Sequence, residues 1–289
     1  RRSVRALYGE SLRLSASRID KFASCRFAYF MQYGLKAKTR QPAGFTPPEM
    51  GVFMHYILEK TAHEVMTRGG FKKVDDETLE RITDKYIAEY VHEKLNDFKE
   101  KSKRFEYLFR RLTKNVRQVV QDMANELRSS DFVPLSFELD FGKASELPPV
   151  RLGEGEDSLV LTGIADRVDG WLHEGKLYLR VVDYKTGKER LDFKSVEELF
   201  DSSATERRKA ILQVLLYCKL YKMNYRPASP IYPAIYIIRN LFDKFEWNIR
   251  YEKDLFTDFA RVEEEFDRCL TACLDEIFNL DRPFTQTTE

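Results

Sequence analysis

Apolar positions change their rhythm once along this chain. Up to about residue 130 they recur at helical spacing. From about 132 they alternate or run together as strands do. Residues 15–34, "SASRIDKFASCRFAYFMQYG", open on serines suited to capping, carry an aromatic-rich amphipathic stripe and stop at Gly34, which predicts one helix. The Pro/Gly-rich stretch "RQPAGFTPPEMG" leads into a helix over about 49–67, and heavily charged helical patterns follow near 75–100 and 103–128. Beyond them, "FVPLSFELDF" alternates like a strand, and "LVLTGIADRVDGWL" and "KLYLRVVDYKTG" are β-rich runs joined by the tight-turn candidate "HEGK". Residues 206–224 read as a helix that is apolar nearly all round ("ILQVLLYCKLYKM"), as burial under a sheet requires. "PIYPAIYIIRN" and "FEWNIRY" predict two more strands, and a closing helix runs from about 252 to 280. The fold class is α/β: a mixed β-sheet flanked by helices and preceded by a helical subdomain.

Composition narrows this outline. The 289 residues are 43% hydrophobic and 33% charged, enough for a real core, and the formal net charge of +1 leaves local patches to select any anionic partner. We expect one domain over 1–289, with a helical part at about 45–130 and a catalytic α/β part at about 131–289. The opening Arg1-Arg2 leads us to expect a fragment of a longer protein. No apolar run reaches membrane-spanning length, and the cysteines Cys25, Cys218, Cys269 and Cys273 are too few and scattered for a disulfide framework. A reducing, cytoplasmic setting is the default expectation.

The β-rich runs carry the chemistry. With Glu174-Gly175 as turn residues, paired positions sum to 349, and Asp166 faces Asp183 across an antiparallel ladder. Asp183 and Lys185 share a face of their strand, as do Asp166 and Val168 of theirs. Two half-buried carboxylates so placed repel, and a divalent cation such as Mg²⁺ would relieve them. In the alternative, Asp166 pairs with a nearby arginine and Asp183 and Lys185 are solvated at a strand end. A register slip of one residue would also part the two acids.

"GIADRVDG", "VVDYKTG" and "QVLLY", in that order, resemble the successive motifs of PD-(D/E)XK nucleases of the RecB/AddB type. "GVFMHYILE" resembles the upstream helix motif that supplies a histidine ligand in that group, and "LSASRIDKFASCRFAYFMQYGL" is similar to the opening helix of AddB-like helicase–nuclease subunits. The resemblance runs from about residue 12 to the end. It implies a restriction-endonuclease-like fold and Mg²⁺- or Mn²⁺-dependent hydrolysis of DNA, exonucleolytic ahead of endonucleolytic, in repair or recombination. It also implies a helicase motor, in the same chain or in an AddA-like partner. Carried over position by position, His55, Asp166, Asp183 and the Tyr184 carbonyl become metal ligands and Lys185 the catalytic lysine. Gln213 and Tyr217 line the site at helical i,i+4 spacing. The rival readings are a DNA-binding scaffold that keeps the fold without catalysis, and a stand-alone Cas4-like exonuclease.

Other residues are open to two readings. Glu59 either orients His55 or lies on the surface, and His63 is read as structural. Glu138 is read as an ordinary strand-face residue ahead of an extra acid at the site. "KEKSKRFEYLFRRLTKNVRQ" interleaves cations and aromatics, as either a DNA-tracking surface or a solvated helix around a core stripe would. "ERRKA" is either a phosphate site or structural. Cys25 stands where such nucleases place the first ligand of a four-cysteine iron–sulfur cluster. Cys269 and Cys273 fall on the closing helix's apolar stripe (Leu255, Phe259, Val262, Phe266, Ile277). A [4Fe–4S] cluster is therefore expected only in a longer protein.

Overall fold

The structure, a computed structural model, describes residues 7–8, 12–38, 46–99, 101–142, 147–148, 150–152, 159–201, 207–227, 229–238, 248–279, 281, 283 and 285. Its centre is a four-stranded sheet of β2 (Val133–Phe141), β5 (Gly163–His173), β6 (Lys176–Lys185) and β8 (Ile231–Ile237) in the order β2-β5-β6-β8. The first three run antiparallel, and β8 lies parallel to β6. Parallel neighbours need a long crossover, which here includes β7 (Asp192–Phe193), α6 (Glu197–Phe200) and α7 (Lys209–Tyr225). Strand β6 is buried on both faces. Val181 and Leu179 pack with the apolar α7, and Val182 and Tyr184 face a layer of three long helices. Those are α3 (Pro47–Thr67), α4 (Asp76–Leu95) and α5 (Lys103–Ser129).

Local chemistry sets the helix ends. Asp75 accepts from the Thr78 N–H at 2.8 Å to start α4, and Ser102 accepts from the Phe105 N–H at 3.2 Å to start α5. Helix α4 stops at Leu95, short of the expected 100, because Asn96 and Asp97 take left-handed backbone (φ 48° and 51°). Phe53, Tyr90 and Phe109 pack together where the three helices meet, with ring centroids 4.8–6.5 Å apart.

Four charged side chains tie α5 to the sheet. Arg167 and Arg180 both reach Asp169 (2.9 and 2.7 Å) and Glu126 (3.2 and 2.8 Å), and the first three residues are at most 1% exposed. Losing one member of such a buried set costs about 3–5 kcal/mol, because an uncompensated charge stays behind.

Several expectations shift. The 15–34 helix is broken at Cys25, whose extended backbone (φ −159°) separates α1 (Ala16–Ser24) from α2 (Arg26–Tyr29) and a π-turn over Phe30–Gly34. The run 159–172 is two strands in two sheets. Strand β4 (Leu159–Leu161) lies between β1 (Leu12–Leu14) and β3 (Val150–Leu152), and β5 starts after Thr162. The closing helix, α8 (Glu263–Phe278), begins eleven residues later than expected. Leu255 lies instead in a two-residue strand and is 47% exposed. Of "FEWNIRY", residues 245–247 lie outside the described residues, while Asn248 bridges to Ala234 and Arg250–Tyr251 pairs with Asp192–Phe193.

Candidate active site

The β5–β6 hairpin turns on Glu174 and Gly175, both at positive φ (48° and 75°), as a two-residue turn demands. His173 pairs with Lys176, and the ladder continues to Arg167 opposite Val182. The next opposed positions are Asp166 and Asp183, just where the ladder stops. The register is therefore the one read from the sequence. Asp166 is held twice: Oδ2 accepts the Tyr184 N–H at 2.5 Å, and Oδ1 lies 3.2 Å from His55 Nδ1.

Asp183 is fully buried, and among the described residues neither of its carboxylate oxygens accepts a well-directed hydrogen bond. The Lys185 ammonium lies 2.6 Å from Oδ2, near enough for an ion pair but off the axis of a directed hydrogen bond. Burial pushes the Asp183 carboxyl up to about 7, with Lys185 opposing the rise and the Asp166 charge adding to it. Lys185 in turn donates to Gln213 Oε1 at 2.8 Å, and Gln213 Nε2 donates to the Tyr217 hydroxyl at 2.6 Å. Burial raises the Tyr217 phenol well above its usual range, so it stays protonated. The first glycine of "GIADRVDG" has a steric reason. A Cβ at Gly163 would lie 2.6 Å from Cε1 of the Tyr217 ring.

His55 comes from α3 and meets Glu138 (Nδ1–Oε1 3.4 Å) as well as Asp166. Burial disfavours its charged form, but the two carboxylates overturn that and lift its pKa to about 10. Glu138, read from the sequence as a plain strand residue, belongs to this site. Its φ of +48° breaks the alternation of β2: Phe137 packs toward the helical layer, whereas Leu139 and Phe141 enter the core on the other face. Positive φ in a glutamate is uncommon, and here it accompanies a carboxylate delivered to the opposite strand's Asp166. Glu59 lies beside Lys60 (3.8 Å), and His63 is exposed.

The remaining candidates fall elsewhere. Cys25 Sγ accepts from the Ala28 N–H at 3.4 Å, and Cys25, Cys269 and Cys273 line one cavity of about 340 Å³. Among the described residues these cysteines do not close to metal-ligating distance as a set. Cys273 is a core residue and Cys269 packs against that core. The "ERRKA" cations are committed internally: Arg207 to Asp20 at 2.9 Å and Arg208 to the Asp192 carbonyl at 2.7 Å. The aromatic residues of α5 point inward at Phe105 and Phe109, while Tyr107 and several cations face solvent.

The donor set suits a hard divalent cation. Ligand atoms of His55, Glu138 and Asp166 lie within 4.8 Å of one another. Beside them stands a buried carboxylate, Asp183, that accepts no well-directed hydrogen bond among the described residues. One imidazole among oxygen ligands fits Mg²⁺ or Mn²⁺ chemistry, and the lysine next to it fits an anionic substrate.

Residues 13–289 match the PD-(D/E)XK nuclease superfamily. One of the subunits of the ATP-dependent helicase/deoxyribonuclease of Caldanaerobacter subterraneus subsp. tengcongensis is 38% identical over 199 residues, 67% of this chain and 17% of the relative. The protein of the same name from Clostridium botulinum (strain Loch Maree) is 36% identical over 197 residues, 68% of this chain and 17% of the relative. That from Clostridioides difficile (strain 630) is 32% identical over 240 residues, 81% and 20%. The chain thus spans about a sixth to a fifth of the length of these curated relatives.

Proposed function

Because the chain belongs to the PD-(D/E)XK nuclease superfamily, we propose that it hydrolyses DNA phosphodiester bonds with Mg²⁺ or Mn²⁺, cutting from strand ends. It serves as the nuclease part of a cytoplasmic helicase–nuclease in repair or recombination. The naming of its relatives as helicase/deoxyribonuclease subunits supports DNA as substrate and a motor in the same chain or in an AddA-like partner. The helices over about 45–130 form one wall of the DNA channel, and the α/β part over about 131–289 forms its catalytic floor.

The observation that carries this reading is the convergence, at the end of one hairpin, of a His–Glu–Asp set with the Asp183–Lys185–Gln213–Tyr217 chain. His55, Asp166, Asp183 and the Tyr184 carbonyl, joined by Glu138, would hold the cation. When bound, the cation supplies a Lewis acid for the scissile phosphate and a more acidic water. Lys185, fixed by Gln213, orients the attacking water and balances negative charge growing on the phosphoryl oxygens. Tyr217 keeps the Gln213 amide turned so that its oxygen faces the lysine.

The test is a nuclease assay with Mg²⁺ or Mn²⁺ on end-labelled single- and double-stranded DNA, with Asp183→Ala and Lys185→Ala alongside. Each variant should lose at least about 10²-fold in rate. Cleavage that survives both substitutions would refute the site, and products clipped internally before end label is released would refute the exonuclease assignment.

A further inference from the structure

The outer face of α5 carries charge that the catalytic reading leaves unused. Over residues 99–114 the chain places seven Lys and Arg against two Glu, although its overall formal charge is only +1. Arg104, Tyr107, Arg110, Arg111 and Lys114 are all exposed, Tyr107 to 61%. At about 100° per residue they fall within roughly a third of the helix circumference. The opposite face holds Phe109, Leu112 and Val116, which pack against the helical layer. This stripe is thus turned straight out to solvent.

Its cations are also unmatched. Lys103 pairs with Glu106 at 3.3 Å, Arg117 with Asp84 at 2.6 Å and Arg128 with Asp76 at 2.5 Å. Among the described residues, the side-chain cations of Arg104, Arg110, Arg111 and Lys114 have no acidic or hydrogen-bond partner; the bond at Arg110 is to its backbone carbonyl, from the Thr113 hydroxyl at 2.8 Å. Four like charges along about 15 Å of helix repel one another unless an anion of similar length lies against them. A lone phosphate would satisfy one or two of them, whereas a phosphodiester strand satisfies the row. An exposed tyrosine within the row offers a ring on which a base can stack.

We infer that this face of α5 is a holding site for a single nucleic-acid strand: Arg104, Arg110, Arg111 and Lys114 contact successive phosphates and Tyr107 stacks on a base. The inference rests on the nuclease reading for its choice of polyanion, but it is tested by binding alone. The site lies across the helix from the face that packs on α3, so it grips DNA outside the catalytic cleft.

The experiment measures fluorescence anisotropy of a labelled oligo(dT) strand in EDTA, from about 50 to 300 mM NaCl. The comparison is between the wild type, Arg104→Ser/Arg110→Ser/Arg111→Ser/Lys114→Ser, and Tyr107→Ala. A charge-matched control carries Lys72→Ser/Lys73→Ser/Lys176→Ser/Lys253→Ser on other exposed positions. Single-strand binding loses about 0.7 in the log–log salt slope per phosphate contact, so the stripe variant should flatten the slope by about 3 and bind at least about tenfold more weakly at low salt. Tyr107→Ala should weaken binding about fivefold or more with the slope kept. The control should keep the wild-type slope. An unchanged slope in the stripe variant, or an equal flattening in the control, overturns the proposal. If the wild type binds in this way yet cuts nothing with Mg²⁺ or Mn²⁺, the catalytic reading fails and this one stands.

Discussion

Replacing Asp183 with asparagine should make the metal-free protein more stable while destroying its chemistry. The carboxyl is fully buried, accepts no well-directed hydrogen bond among the described residues, and even with the Lys185 ammonium 2.6 Å away has its pKa raised from 3.8 to about 7. That rise corresponds to roughly 4 kcal/mol of cost to the folded state once the group is ionised, at about 1.4 kcal/mol per pH unit. Between about pH 4 and 7 the folded protein holds a proton that the unfolded chain has released, so this group's contribution falls as pH rises through that window and is smallest above 7. Asparagine keeps the shape and removes the charge, but a buried amide still lacks partners, which returns about 1–3 kcal/mol. The net expectation in EDTA at pH 8 is a gain of about 1–3 kcal/mol, or a midpoint higher by roughly 2–6 °C. At pH 5, where the wild-type carboxyl is already protonated, the gain should vanish. Urea denaturation at both pH values decides the matter. A variant no more stable than the wild type at pH 8, or equally stabilised at pH 5, would show that Asp183 is not a strained carboxylate.

Three further outcomes follow from the same geometry. Binding Mn²⁺ at pH 7 should release about 1.5 protons, one from His55 (pKa about 10) and half of one from Asp183, read by calorimetry in buffers of different ionisation enthalpy. Heats independent of the buffer would sink that assignment. Gly163→Ala should destabilise by about 1–3 kcal/mol through the Tyr217 ring, and Tyr217→Ala in the same chain should recover part of the loss in a denaturation series. Glu138→Gln should leave the melting temperature of the metal-free protein within about 2 °C of wild type and weaken Mn²⁺ binding about tenfold. Wild-type Mn²⁺ affinity in that variant would remove Glu138 from the site.

What could be read ahead of the structure depended on how local its cause was. The β5–β6 register follows from a two-residue turn, and so Asp166 and Asp183 could be opposed by arithmetic alone. Gln213 stood out as an amide in an apolar helix, and it does sit between Lys185 and Tyr217. Glu138 gave no such signal. Phe137, Leu139 and Phe141 suggest uninterrupted alternation, and no Gly, Asn or Asp marks the positive φ that moves Phe137 to the opposite face from Leu139. Glu59 lies one helical turn from His55, but the carboxylates that meet the imidazole, Glu138 and Asp166, come from 83 and 111 residues along the chain. The break at Cys25 and the late start of α8 were hidden because apolar spacing continues across both.

The motif "GIADRVDG" does more than hold one acid. In a strand, successive side chains point to opposite faces, so Asp166 and Val168 look one way while Arg167 and Asp169 look the other. Asp166 is one of the three residues of the candidate cation site. Arg167 and Asp169, with Arg180 of β6 and Glu126 of α5, form the buried charge set beneath the helical layer. Phe109 of α5 packs on Phe53 of α3, two residues before His55. Strand β5 thus fixes one candidate ligand directly, and through the charge set it docks the layer that delivers another. Hydrophobic packing alone would allow α5 to slide along the sheet, since apolar contact has no direction. Two guanidinium groups shared by two carboxylates fix its position, which an imidazole set 3.2 Å from Asp166 requires.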